Sequence, residues 1–107
     1  MWRRLIDINL TGSFMVSQAV GRALMAENKP GSIILVASMS GSIVNYPQEQ
    51  SCYNASKAGV IQLGKSLAAE WAKYGIRVNC ISPGKFSLYL PITSFLSNDL
   101  QVTWTLH

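Results

Sequence analysis

The sequence predicts an α/β fold built around a parallel sheet. Three observations predict it. Two long segments place apolar residues at helical spacings, two short apolar runs are rich in β-branched residues, and these alternate as helix, strand, loop, helix, strand, loop. Such alternation implies helices layered on a parallel sheet and joined by right-handed crossovers.

The first segment runs from about Trp2 to Glu27, with Leu5, Ile6, Leu10, Phe14, Ala19, Val20, Ala23 and Leu24 at helical spacings. Asn9, Thr11 and Gly12 are poor interior helix residues. They imply a bend or a functional requirement: Asn9 either opens the helix ladder and holds water or caps a helix that begins near Leu10. Pro30 and Gly31 stop the segment. "SIILVA" (32–37) reads as a strand buried on both faces of a parallel sheet. "SMSGSIVNYPQEQS" (38–51) reads as a polar loop leaving the carboxyl end of that strand. A second helix is expected from about Ser51 to Tyr74. Its apolar face holds Ala55, Ala58, Ile61, Leu67, Ala68, Trp71 and Ala72, and Gly75 is a left-handed stop. "IRVNCIS" (76–82) alternates and ends at Pro83-Gly84, as a second strand does. Two strands do not make a stable parallel sheet, because each needs neighbours for its backbone groups. The chain therefore reads as part of a larger sheet. After Ser87 no clean period is visible.

A chain of 107 residues supports one small domain. Hydrophobic residues make up 49% and charged residues 13%, a balance that argues against disorder. The net charge of +4 comes from scattered Lys and Arg without a dense basic run, which disfavours nucleic-acid binding. No apolar run is long enough to cross a membrane, and "MWRRLIDINL" lacks the apolar core of a signal peptide. Cys52 and Cys80 stand in no metal or redox spacing, so two reduced thiols and a cytoplasmic location are expected. The single histidine is His107. A metal site or a histidine-based triad has almost no material to work with.

Chemistry centres on "SCYNASKAGV" (51–60). Tyr53 and Lys57 are four apart and share a helix face, about 6 Å apart along the axis. A tyrosine hydroxyl is a weak acid at neutral pH, with a pKa of about 10. A nearby ammonium favours the phenolate, which suits a proton donor and acceptor for a carbonyl–alcohol conversion. Alone, the pair fits a solvated helix face better than a catalytic site. Ser38 and Ser40 follow the first strand, where open α/β sheets bind ligands; they are turn serines or donors to a substrate oxygen. Pro83-Gly84 ends the second strand on the same sheet edge, as a strand terminator or as a place where a ligand meets the backbone.

"DINLTGSF", "IILVASMSG" and "CYNASKAGVIQLGKSLAAEWAKYGIRVNCISPG" together resemble the central and C-terminal part of a short-chain dehydrogenase/reductase, over about residues 2–84. "SMSG" and the stretch from Tyr46 to Asn79 look most like the fungal members that act on sugars and polyols. The resemblance implies a Rossmann-like, doubly wound parallel sheet that is incomplete. Residues 1–107 would form one partial domain, with 1–87 as catalytic core and 88–107 as a substrate-loop-like tail. It implies Tyr53 as general acid–base residue and Lys57 as the residue that activates it and binds the nicotinamide ribose. Ser38 is implied as the catalytic serine when Gly41 is aligned with the family glycine. Ser40, thirteen residues before Tyr53, has the commoner family spacing. Asn9 would hold a water that links Lys57 to solvent. Pro83 and Gly84 would border the nicotinamide, and the Phe86 backbone would touch its carboxamide.

The implied activity is NAD(P)-dependent hydride transfer between a ketose or similar carbonyl and its alcohol, with the subgroup leaning to NADP and the complete protein a homodimer or homotetramer. The family's T-G-x-x-x-G-x-G turn and its Asn-Asn-Ala-Gly stretch do not occur in these residues. The resemblance thus implies a chain that begins inside the fold. The alternative is a catalytically silent fragment that acts through its subunit-contact helices.

Overall fold

The computed structural model describes residues 1–84 in full and the backbone of 100–103. The first segment is one continuous helical rod with an internal change of pitch. α1 spans Trp2–Ile6, a π-turn spans Asp7–Thr11, and α2 spans Gly12–Ala26. The π-turn falls where Asn9, Thr11 and Gly12 weaken the ladder. There the Gly12 N–H reaches back five residues to the Asp7 carbonyl. The expected bend is thus a widened turn, and the cap reading of Asn9 is not the one adopted: Asn9 lies inside the helical rod.

β1 spans Gly31–Val36, α3 spans Ser51–Trp71, a 3₁₀ turn continues it through Ala72–Tyr74, and β2 spans Ile76–Pro83. Gly75, at φ 73°, makes the reversal into β2 in the left-handed region. β1 and β2 pair in parallel, from Gly31 opposite Ile76 to Val36 opposite Ile81. β3 spans Leu100–Thr103 and pairs antiparallel with the outer edge of β2, giving the order β1-β2-β3. The tail beyond Ser87, where no period was legible, supplies this third strand.

α3 covers one face of the sheet. Val60, Ile61, Leu67 and Ala68 of the helix bury themselves with Leu35, Ala37, Ile76, Val78 and Cys80. Alternation along β2 follows the pleat: Ile76, Val78, Cys80 and Ser82 are buried, and Arg77 and Pro83 are exposed. β1 departs from the expectation of burial on both faces. Ile34 and Val36 remain 58% and 62% exposed, because they alternate with Ile33 and Leu35 and no described element covers the face opposite α3. The first helical rod packs beside α3 on the same side of the sheet, Gly21 against Trp71 and Leu10 against Gly59. An apolar groove of about 490 Å³ runs between α2 and β1.

Cys80 sits at the centre of the core, with its thiol against the Val60 carbonyl at 3.7 Å. Burial pushes its pKa above the ordinary 9.0, with the Lys65 ammonium opposing the shift. A thiol whose pKa is raised by folding contributes stability that is fully present below the unfolded-state pKa and lost as pH rises through the folded value. Iodoacetamide at pH 8 is expected to label the half-buried Cys52 and to spare Cys80 in the native chain. Equal labelling of both, by mass spectrometry, would contradict this core.

Candidate active site

Tyr53 and Lys57 enter the site from the first two turns of α3, which begins at Ser51. Lys57 Nζ lies 5.7 Å from the centre of the Tyr53 ring, within reach of a cation–π attraction. It also donates to the Val36 carbonyl at 3.1 Å. That bond pins the ammonium to the last residue of β1. An ammonium carries three N–H donors, so donors remain for a ligand.

Ser38 follows β1 in an extended conformation, and its Oγ accepts the Ser40 N–H at 3.2 Å. This caps the 3₁₀ turn Met39–Gly41. Ser40 is buried as well. Its Oγ accepts two side-chain amides, Asn45 Nδ2 at 2.9 Å and Gln50 Nε2 at 3.1 Å. Gln50 Nε2 also donates to Asn54 Oδ1 at 3.0 Å. The series Asn45–Ser40–Gln50–Asn54 ties the loop to the first turn of α3.

Gly41 lets the serine turn lie directly on α3. A Cβ at this position would stand 2.8 Å from the Lys57 carbonyl carbon and 2.9 Å from the Ala58 nitrogen. Both are backbone atoms that cannot swing aside, so no side chain fits without parting the turn from the helix.

Asn9 reaches α3 from the π-turn. Its Nδ2 donates to Ser56 Oγ at 3.1 Å, and Ser56 Oγ donates to the Tyr53 carbonyl at 2.7 Å. The Ser13 hydroxyl donates to the Asn9 carbonyl at 2.7 Å. Asn9 is therefore tied to the turn carrying Tyr53 and Lys57 through Ser56, with no direct bond to either among the described residues.

Ser38, Ser40, Tyr53, Pro83 and Gly84 share one open cleft of about 300 Å³, with Met39, Asn45, Gln48 and Gln50. It lies at the carboxyl ends of the two parallel strands. Phe86 lies outside the described residues. The sequence reading passed over Asn45, Gln48, Gln50 and Ser56. The amides looked like ordinary loop residues, and their only signal is their clustering between the serines and the tyrosine. Among the described residues no group of three or more His, Cys, Asp and Glu could hold a metal, and no helix is long and apolar enough to cross a membrane.

Residues 1–93 match the family model described as short chain dehydrogenase. The chain belongs to this family. Among the short-chain dehydrogenases, it is 64% identical over 80 residues to a ribulose-forming D-arabinitol 2-dehydrogenase of Candida albicans, covering 75% of this chain and 28% of that protein. An NADH-dependent L-xylulose reductase of Ambrosiozyma monospora is 52% identical over 96 residues, covering 89% of this chain and 35% of that protein. A crystal structure of a short-chain type dehydrogenase/reductase from Mycobacterium marinum superposes with a TM-score of 0.76 at 48% identity. That match covers 78% of this chain and 33% of the other. The chain thus spans about a third of the length of these short-chain dehydrogenases.

Gly41→Ala is expected to cost about 1–3 kcal/mol, as overpacking against fixed backbone does. A thermal melt indistinguishable from that of the parent would show that the serine turn is not held by this contact.

Proposed function

We propose that these residues form the acid–base half of an NAD(P)-dependent oxidoreductase that interconverts a ketose and a polyol. One observation carries the reading: Tyr53, Ser38 and Pro83-Gly84 meet in a single cleft at the carboxyl edge of the parallel strands. The names of the arabinitol dehydrogenase and xylulose reductase relatives support the substrate class.

The residues present fit the nicotinamide end of such a cofactor. Gly84 brings no side chain to the cleft, and Lys57 has N–H donors beyond the one given to Val36. The dinucleotide, when bound, supplies or accepts the hydride. Tyr53 gives its proton to the substrate oxygen in reduction and takes it back in oxidation. Ser38 donates to the same oxygen. It is preferred over Ser40 because, among the described residues, its oxygen accepts one hydrogen bond, whereas Ser40 Oγ accepts two amides. Lys57 holds a ribose hydroxyl and keeps positive charge beside the tyrosine. Asn9, through Ser56, steadies the turn that carries both, and the family resemblance assigns it a water that links Lys57 to solvent. Pro83 and Gly84 border the nicotinamide, and the Phe86 backbone is assigned to its carboxamide. The subgroup resemblance leans to NADP, while the xylulose reductase relative is NADH-dependent; no described residue selects between them.

A second reading rests on the exposed apolar residues of the first helical rod, where Trp2, Ile8 and Met15 are 55%, 63% and 62% exposed. They suit a contact between subunits of a homo-oligomer, and the chain would then act through that contact alone.

The test replaces the 80 matched residues of the D-arabinitol 2-dehydrogenase with those of this chain and follows NADH or NADPH oxidation with a ketose. The chimera is expected to turn over. Tyr53→Phe should lower kcat at least about 100-fold, the scale of general acid–base catalysis. Ser38→Ala should lower it about 100- to 1000-fold, as loss of an oxyanion donor does. Normal activity in Tyr53→Phe would refute the assignment, and an inactive parent chimera would favour the contact reading.

A further inference from the structure

One polar part of the cleft lining has no part in the proton transfer described above. It is built by Asn45, Gln48 and Gln50. Ser40 holds one end of two of these amides. A hydroxyl both donates and accepts hydrogen bonds, and Ser40 Oγ lies within hydrogen-bond distance of Asn45 Nδ2 and Gln50 Nε2. Gln50 is held a second time, by Asn54 Oδ1. Reversing the Gln50 amide would set its oxygen against the oxygen of Asn54. With one end of each amide committed to the buried serine, its other end, the carbonyl oxygen, is left for a ligand. No hydrogen bond among the described residues engages Asn45 Oδ1 or Gln50 Oε1.

We infer that Asn45, assisted by Gln50, is the specificity-determining residue for a hydroxyl group on the carbon next to the reacting one. This rests on the ketose–polyol reading of the same cleft and deepens it. The wall offers the free polar ends of amides, so it recognises hydrogen-bonding groups. A polyol or ketose has a carbinol hydroxyl beside the reacting carbon, which both donates and accepts and so satisfies an amide end there. A simple secondary alcohol or ketone leaves it facing hydrocarbon, and sites built to hydrogen-bond a hydroxyl reject analogues that lack it. Ser40 is the positioning residue of this arrangement: it touches no reacting atom and acts by turning the amides.

The experiment uses the chimera with the D-arabinitol dehydrogenase. It compares kcat/KM for a pentitol with that for a straight-chain secondary alcohol lacking a neighbouring hydroxyl. In Asn45→Leu the ratio of the two is expected to fall by about tenfold or more. In Asn45→Asp, which keeps acceptor oxygens of the same shape, it should stay within about twofold of the parent. An unchanged ratio in Asn45→Leu, or an equal loss on both substrates, overturns the inference. So does an Asn45→Asp variant as unselective as Asn45→Leu. Saturation-transfer NMR of the pentitol on the same proteins reads binding without turnover. A chimera that is inactive, or indifferent to Tyr53→Phe, yet contacts the pentitol in an Asn45-dependent way refutes the catalytic reading and upholds Asn45 as a reader of pentitol hydroxyls. Absence of pentitol contact in the parent overturns the inference.

Discussion

The site depends on one contact, the seating of the serine turn on the backbone of α3 at Gly41. β1 delivers Ser38 to the sheet edge, and α3 delivers Tyr53 and Lys57, but these elements lie on different layers of the fold. They converge because the chain after β1 turns at once and packs without a side chain against the Lys57–Ala58 peptide. The Lys57–Val36 hydrogen bond closes the same junction from the other side. Strand end, serine turn and helix are thereby fixed to one another by groups with little freedom. That is the condition under which hydroxyl and ammonium donors can be held ready rather than reorganised during reaction.

The π-turn extends this rigidity to the other helix. An ordinary α-helix would present residue 9 with its ladder closed. The widened turn between Asp7 and Thr11 is accompanied by an Asn9 amide that reaches across to Ser56, while the Ser13 hydroxyl satisfies the Asn9 carbonyl. Asn9 thus helps hold the turn that carries Tyr53 and Lys57, and Ser56 is the hinge through which it does so.

Much of this was legible in the sequence because it is local. Helical spacing and the Pro30-Gly31 and Gly75 stops locate the helices. The β-branched runs locate the parallel pair, and strand–loop–helix order brings Ser38, Tyr53 and Pro83-Gly84 to one edge. What escaped was long-range or depended on choices between equal options. "SIILVA" is apolar from Ile33 to Ala37, so its pattern could not tell that Ile34 and Val36 would keep an open face. Asn9 looked anomalous, but a bend, a cap and a π-turn share the same composition. β3 escaped because its pairing with β2 joins residues about twenty apart through a stretch with no period. Asn45 and Gln50 were invisible as site residues because what distinguishes them is a shared acceptor, Ser40, and a spacing of five along a loop does not announce convergence in space.

The cleft has a further property. Among the described residues, every one that lines it falls between Ser38 and Gly84. One uninterrupted piece of chain, running strand, loop, helix and strand, thus builds its wall. A crossover upstream of β1 would carry that wall intact into a new sequence context. It would exchange only the Asn9 prop that reaches Ser56 from the first helical rod, so wall and prop can vary independently.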